Sequence, residues 1–180
     1  CAAAMLALPA LALAAYPEKP ITIIVPFAAG GPTDVLTRVI AERMARELAQ
    51  PMIVENTPGA GGTVGNARAA RAKPDGYTVL AGNVGTLAAS NSFYRKLPYD
   101  MHKDFVGIAS IGDAPQIVSA RKDFPPTGLE ALHDYVKPQE SKVTFGAAGV
   151  GSGSYLGGVL LNNALGLNVE AINYRGAGQA

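Results

Sequence analysis

Cysteine is nearly absent from this chain, and its absence removes several kinds of chemistry. Cys1 is the only one among 180 residues, so no internal disulfide can form and no cysteine cluster can hold a metal. Histidine is scarce too: His102 and His133 lie far apart, without zinc-ligand spacing. His102 sits beside a turn and His133 in an expected amphipathic helix, and neither has the local signature of a catalytic base. Tryptophan is missing altogether. That weakens the case for a sugar site, where rings stack on aromatic side chains, although Phe27, Tyr155 and Tyr174 remain for such stacking. Charge of either sign is in short supply: 15 basic and 14 acidic side chains leave a formal net charge of +1, with no Lys/Arg run. Nucleic acid and anionic membrane surfaces are therefore not expected partners. With 48% hydrophobic residues and little charge, the chain is not expected to be disordered.

Enzyme fingerprints are also lacking. Gly149-Val-Gly151 is followed by Ser154 where a dinucleotide-binding G-x-G-x-x-G needs its third glycine, and Gly59-Ala-Gly61 is followed by Val64. No lysine follows a glycine in the P-loop arrangement, and no G-x-S-x-G elbow surrounds Ser152 or Ser154. These missing motifs argue against the alternative of an α/β enzyme, a hydrolase or a nucleotide-dependent one, acting on a small anionic substrate; neither cofactor nor metal is expected.

Residues 2–15 form an apolar run of Ala, Leu, one Met and one Pro, ending in the small-x-small pattern Ala12-Leu13-Ala14. It is too short to cross a membrane and matches the end of a signal peptide, with residues 1–15 as its remnant and export as the consequence. At the other end, Gly176 to Ala180 stand where a helix should begin, so truncation is expected there as well.

Short strands alternate with helices. Ile21-Thr-Ile-Ile-Val25 is β-branched and almost wholly apolar, as a buried parallel strand requires. Thr33 or Asp34 is the expected helix cap. Val35, Leu36, Val39, Ile40, Met44 and Leu48 then recur at helical spacing, with Arg38, Glu42, Arg43, Arg46 and Glu47 between them. Further strands are predicted over 52–55, 77–81, 105–111, 116–120, 142–145 and 169–173. Helices are predicted over 64–72, 86–94, 127–136 and 152–164. The fold class is α/β, a parallel or mixed sheet covered on both faces, with a domain boundary at the turn cluster 97–104.

Three segments share the order strand, Gly-rich loop, helix start. They are Val25-Pro-Phe-Ala-Ala-Gly-Gly-Pro-Thr-Asp34, Ala81-Gly-Asn-Val-Gly-Thr86 and Phe145-Gly-Ala-Ala-Gly-Val-Gly-Ser-Gly-Ser154. In an open α/β sheet, ligands bind at the carboxyl ends of the strands. Helix N-termini there offer free N–H groups and partial positive charge, which suit anions. Many α/β proteins also need glycine in such turns for the turn alone. Candidate ligand contacts are Phe27, Ala28, Ala29, Gly30, Gly31, Thr33 and Asp34 from the first loop, and Asn83 and Thr86 from the second. The third contributes Gly149, Ser152 and Ser154.

Across these loops the sequence resembles the Bug receptors, the substrate-binding proteins of tripartite tricarboxylate transporters. The matching stretches are Tyr16-Pro-Glu-Lys-Pro-Ile-Thr-Ile-Ile-Val-Pro-Phe-Ala-Ala-Gly-Gly-Pro-Thr-Asp34 and Glu55-Asn-Thr-Pro-Gly-Ala-Gly-Gly62. Lys73-Pro-Asp-Gly-Tyr77, Leu97-Pro-Tyr-Asp100, Lys103-Asp-Phe105 and Tyr174-Arg-Gly176 complete the series, in the family's order. The resemblance implies a periplasmic-binding-protein (Venus-flytrap) fold of two α/β domains, cut short at the C-terminus. Residues 16–103 would belong to domain 1 and 104–180 to part of domain 2. It implies a periplasmic, monomeric receptor for a small carboxylate (a di- or tricarboxylate, amino acid or aromatic acid), which hands its ligand to membrane transporter subunits. It also adds Tyr174, Arg175 and Gly176 to the candidate ligand contacts. One departure stands out: family members often carry His where this chain has Tyr155.

Two side chains have open roles. Asp34 either complements the helix dipole from the first turn or meets a ligand ammonium. Arg175, the only cation in a candidate loop, either pairs with a ligand carboxylate or is solvated.

Overall fold

A computed structural model describes residues 16–113 and 115–180. The expected signal-peptide remnant, residues 1–15, lies outside the described residues.

The first unit is a three-stranded parallel sheet in the order β2-β1-β3, formed by β1 (Ile21–Val25), β2 (Met52–Asn56) and β3 (Thr78–Leu80). The almost wholly apolar run of β1 puts it in the centre, where Ile21, Ile23, Ile24 and Val25 are buried. Helix α1 (Pro32–Leu48) links β1 to β2, and α2 (Thr63–Ala70) links β2 to β3. A π turn, Gly85–Ala89, runs into the short helix α3 (Ser90–Phe93). The core joins Ile23, Val25, Phe27, Ala41, Ala81 and Ala148. Because Ala148 comes from the second half of the chain, the two halves share packing.

The second unit pairs β4 (Thr144–Ala147) in parallel with β5 (Glu170–Asn173) through α5 (Gly153–Leu165). Helix α4 (Leu129–Val136) precedes β4. Gly166 ends α5 in the left-handed conformation, a common glycine helix stop.

Three expectations are corrected. The strands foreseen over 105–111 and 116–120 are not formed: these residues pair with no described strand, and Val106, Ile108, Ile117 and Val118 are exposed. β-branched composition favours a strand only where a neighbour supplies the hydrogen-bond ladder. The apolar side of α1 turns inward only in part: Val35, Leu36 and Val39 are exposed, Ile40, Met44 and Leu48 are half-buried, and Asp34, Thr37 and Ala41 are buried. Finally, the cap of α1 is Gly31 rather than Thr33 or Asp34. Pro32 occupies the first helical position, where its fixed φ is already helical and its missing N–H costs nothing.

Candidate functional site

The loops leaving the carboxyl ends of all five strands meet on one side of the molecule. Ala28 N–H donates to the Arg175 carbonyl at 3.4 Å, joining the loop after β1 to the loop after β5. Gly176 packs so closely there that a Cβ would lie 3.0 Å from the Ala28 Cβ. The loop after β2 meets the loop after β4: a Cβ on Gly61 would collide with the Val150 carbonyl, and one on Gly149 would reach 3.0 Å from the Gly61 Cα. The loop after β3 abuts the start of α5, where a Cβ on Gly85 would lie 2.7 Å from the Gly151 carbonyl oxygen. Glycine is needed at Gly61 and Gly85 because backbone meets backbone there.

The first loop is braced by Asp34. Its carboxylate accepts from Gly30 N–H at 2.9 Å, from Asn56 Nδ2 at 2.9 Å and from Arg38 Nε at 3.1 Å, and it pairs with Arg38 at 3.0 Å. Asn56 Nδ2 also donates to the Phe27 carbonyl at 3.1 Å, so one amide holds both ends of the loop. Gly30 has φ near +84°, a conformation glycine adopts without strain. Burial pushes the Asp34 carboxyl up, but the hydrogen bonds from Arg38, Gly30 and Asn56 and the Arg38 charge outweigh it and hold its pKa below the ordinary value. The pair is electrically balanced, so the buried acid does not make the site anionic.

Four backbone N–H groups at this mouth, those of Ala29, Gly31, Thr33 and Asp34, have no hydrogen-bond partner among the described residues. The last two belong to the first turn of α1, with the helix dipole behind them. Ala28 and Gly30, by contrast, spend their N–H groups on Arg175 and Asp34.

The loop after β4 is braced by two serines. Ser152, fully buried, caps α5 by accepting from Tyr155 N–H at 3.2 Å, and Ser154 Oγ accepts from Ala148 N–H at 3.0 Å. The two hydroxyls lie 3.2 Å apart. Between them they hold two protons, and the contact uses one, so one remains free to donate.

In the loop after β3, Asn83 Oδ1 accepts from Gly85 and Thr86 N–H, and Thr86 Oγ1 accepts from Asn83 N–H. These side chains shape the loop, and Thr86 is buried. Phe27 is buried in the core and does not lie open for stacking, while the half-buried Tyr155 packs edge-to-face on Phe93 at 5.6 Å. Tyr174 and Arg175 are exposed, whereas Gly176 is buried. Two surface concavities, one beside Arg38 and Met52 and one beside Tyr94 and His102, are lined by none of the candidate residues.

Sequence reasoning missed Arg38, Asn56 and Tyr94. Asn56 lay inside a matching stretch, but only the folded chain brings it to Asp34. Tyr94 donates its hydroxyl to the carbonyls of Ala60 at 2.8 Å and Val150 at 2.7 Å, and no motif marks it. Among the described residues no cluster of three or more His, Cys, Asp or Glu is arranged for a metal, and no helix is long and apolar enough to cross a membrane.

This architecture matches solved structures. The periplasmic binding protein BugD is 37% identical with a TM-score of 0.80, over 91% of this chain and 55% of that one. MatC from Rhodopseudomonas palustris with bound malate is 40% identical with a TM-score of 0.87, over 91% of this chain and 56% of that one. A second R. palustris protein, solved with adipate, is 30% identical with a TM-score of 0.88, over 92% and 55%. The chain therefore has the α/β periplasmic-binding-protein fold.

The family described as "Tripartite tricarboxylate transporter family receptor" matches residues 36–180, and the chain belongs to it. That family consists of binding proteins, not enzymes. Among curated relatives, an Agrobacterium vitis protein from the TAR-I ttuE-ttuC' intergenic region is 42% identical over 165 residues, 92% of this chain and 47% of that protein. The chain spans about half the length of the curated relatives it matches.

Proposed function

We propose that this chain grips a small dicarboxylate in the periplasm as part of a receptor serving the membrane subunits of a tripartite transporter. Residues 16–103 and 104–180 would be the two jaws. The observation that carries this reading is the donor set at the meeting of the loops: the free N–H groups of Ala29, Gly31, Thr33 and Asp34, and the spare Ser152/Ser154 proton. Such a set favours a carboxylate without needing a cationic pocket. A hydrogen bond to a charged group contributes about 1.5–3 kcal/mol net, and micromolar binding needs about 8 kcal/mol. Four or five such bonds, less the cost of ordering the loops, are of the right size. MatC, solved with malate, and its relative solved with adipate point to the same ligand class.

A thermal-shift panel of dicarboxylates, sugars and nucleotides tests this. A dicarboxylate at 100 times its dissociation constant should stabilise the protein by about 2.7 kcal/mol. Stabilisation by sugars or nucleotides alone would overturn the reading.

A further inference from the structure

We propose that Tyr94 is a positioning residue, a releasable latch that holds the loop after β4 against the first unit and sets how long a bound ligand stays. The inference rests on the receptor reading above. Three contacts from the end of α3 reach across to that loop and to the first turn of α5. The Tyr94 hydroxyl meets the Val150 carbonyl at 2.7 Å. Its ring lies so close to Gly151 that a Cβ there would be 3.2 Å from Cε2. Phe93 packs edge-to-face on Tyr155 at 5.6 Å. On the near side the same hydroxyl meets the Ala60 carbonyl at 2.8 Å.

The hydroxyl has one proton and two acceptors, one on each unit. Together, Val150 shares that proton; apart, Tyr94 keeps Ala60 as its partner. Separation therefore leaves no orphaned donor on Tyr94, and the latch can open without the full cost of an unmade hydrogen bond. The Val150 carbonyl, whose only hydrogen-bond donor among the described residues is Tyr94, returns to water. Burial holds the phenol above its ordinary pKa, aided by neighbouring Tyr99, so it stays a donor at neutral pH. Gly61 completes the device. Any side chain there would strike the Val150 carbonyl, so its bareness is a condition of the contact.

The test is Tyr94→Phe, which keeps the ring and removes the latch. Stopped-flow binding of malate and of adipate should show release about 3- to 10-fold faster with the association rate unchanged, since a lost closing contact acts on escape. General destabilisation would lower the active fraction instead. Amide exchange in the ligand-free protein gives a second, ligand-independent arm. Residues 148–156 should exchange at least 3-fold faster in the variant, with β1 and α1 unchanged. If the wild type binds neither acid, the dicarboxylate reading fails, and the exchange arm still decides the latch. Equal exchange over 148–156 in both proteins would sink the latch whatever the binding result. Should Tyr94→Phe not fold, Gly61→Ala breaks the same contact from the other side and must give the same local exchange. Where both fold, the double variant should exchange no faster than the stronger single one.

Discussion

Gly30 and Asp34 close the mouth of the first loop on itself: the Gly30 N–H donates to the buried Asp34 carboxylate, four residues further along the chain, at 2.9 Å. With Arg38 and Asn56 on its remaining lone pairs, the carboxylate is spent inside the protein. It shapes the backbone that offers the free N–H groups.

Asp34→Asn should therefore act through shape. An amide puts an N–H₂ group against the donors that now face oxygen, so the variant should lose about 1.5–3 kcal/mol in chemical denaturation. Affinity for amino acids and for plain dicarboxylates should fall together in calorimetry. A selective loss for ligands carrying an ammonium would assign Asp34 to the ligand instead.

Acid should reveal the same residue. A carboxyl held below its ordinary value of 3.8 adds stability that is complete above that value and disappears as pH falls through the lower folded value. Unfolding free energy should thus drop as pH is taken below about 4, and Asp34→Asn should flatten part of that slope. Asp75 and Asp100, lowered chiefly by backbone hydrogen bonds from Tyr77 and His102, are solvent-exposed and should leave only a weak residual slope in the variant.

Gly65 sits inside α2, where alanine would ordinarily favour a helix by about 1 kcal/mol. Here a Cβ would lie 2.8 Å from Pro26 Cα and 2.9 Å from the Thr57 carbonyl oxygen, which are fixed by the loops after β1 and β2. Gly65→Ala should reverse the sign and destabilise by about 1–3 kcal/mol. A stabilised variant in thermal denaturation would mean that α2 can move off the sheet freely.

Ser152→Ala removes the cap of α5 and the partner of Ser154. A loss of about 1 kcal/mol is expected in denaturant titration. Carboxylate affinity should fall further than in an Asn83→Ala variant, because Asn83 spends its side-chain oxygen inside its own loop. Equal losses of affinity would remove the serine pair from the site.

Local chemistry determined much of this protein. The β-branched run of Ile21–Val25 has one stable setting, the middle of a parallel sheet, and it is found there. Glycine after α5 ends that helix through backbone geometry alone. The recurring Gly-rich loops, with their matching stretches in order, were enough to read the receptor family from the chain.

What the tertiary structure decided are the relationships between residues remote in sequence. Residues 105–120 have strand composition, yet a strand exists only where another edge supplies its hydrogen bonds. Helical spacing grouped Val35, Leu36 and Val39 correctly, but periodicity cannot say which face meets the sheet. Asp34 faces inward because Asn56 and Arg38 arrive to pay its desolvation, and Asn56 comes from another strand. Tyr94 reaches Val150 only because two loops after different strands come into contact. A sequence records what each residue prefers locally; which lone pair meets which proton is settled by packing.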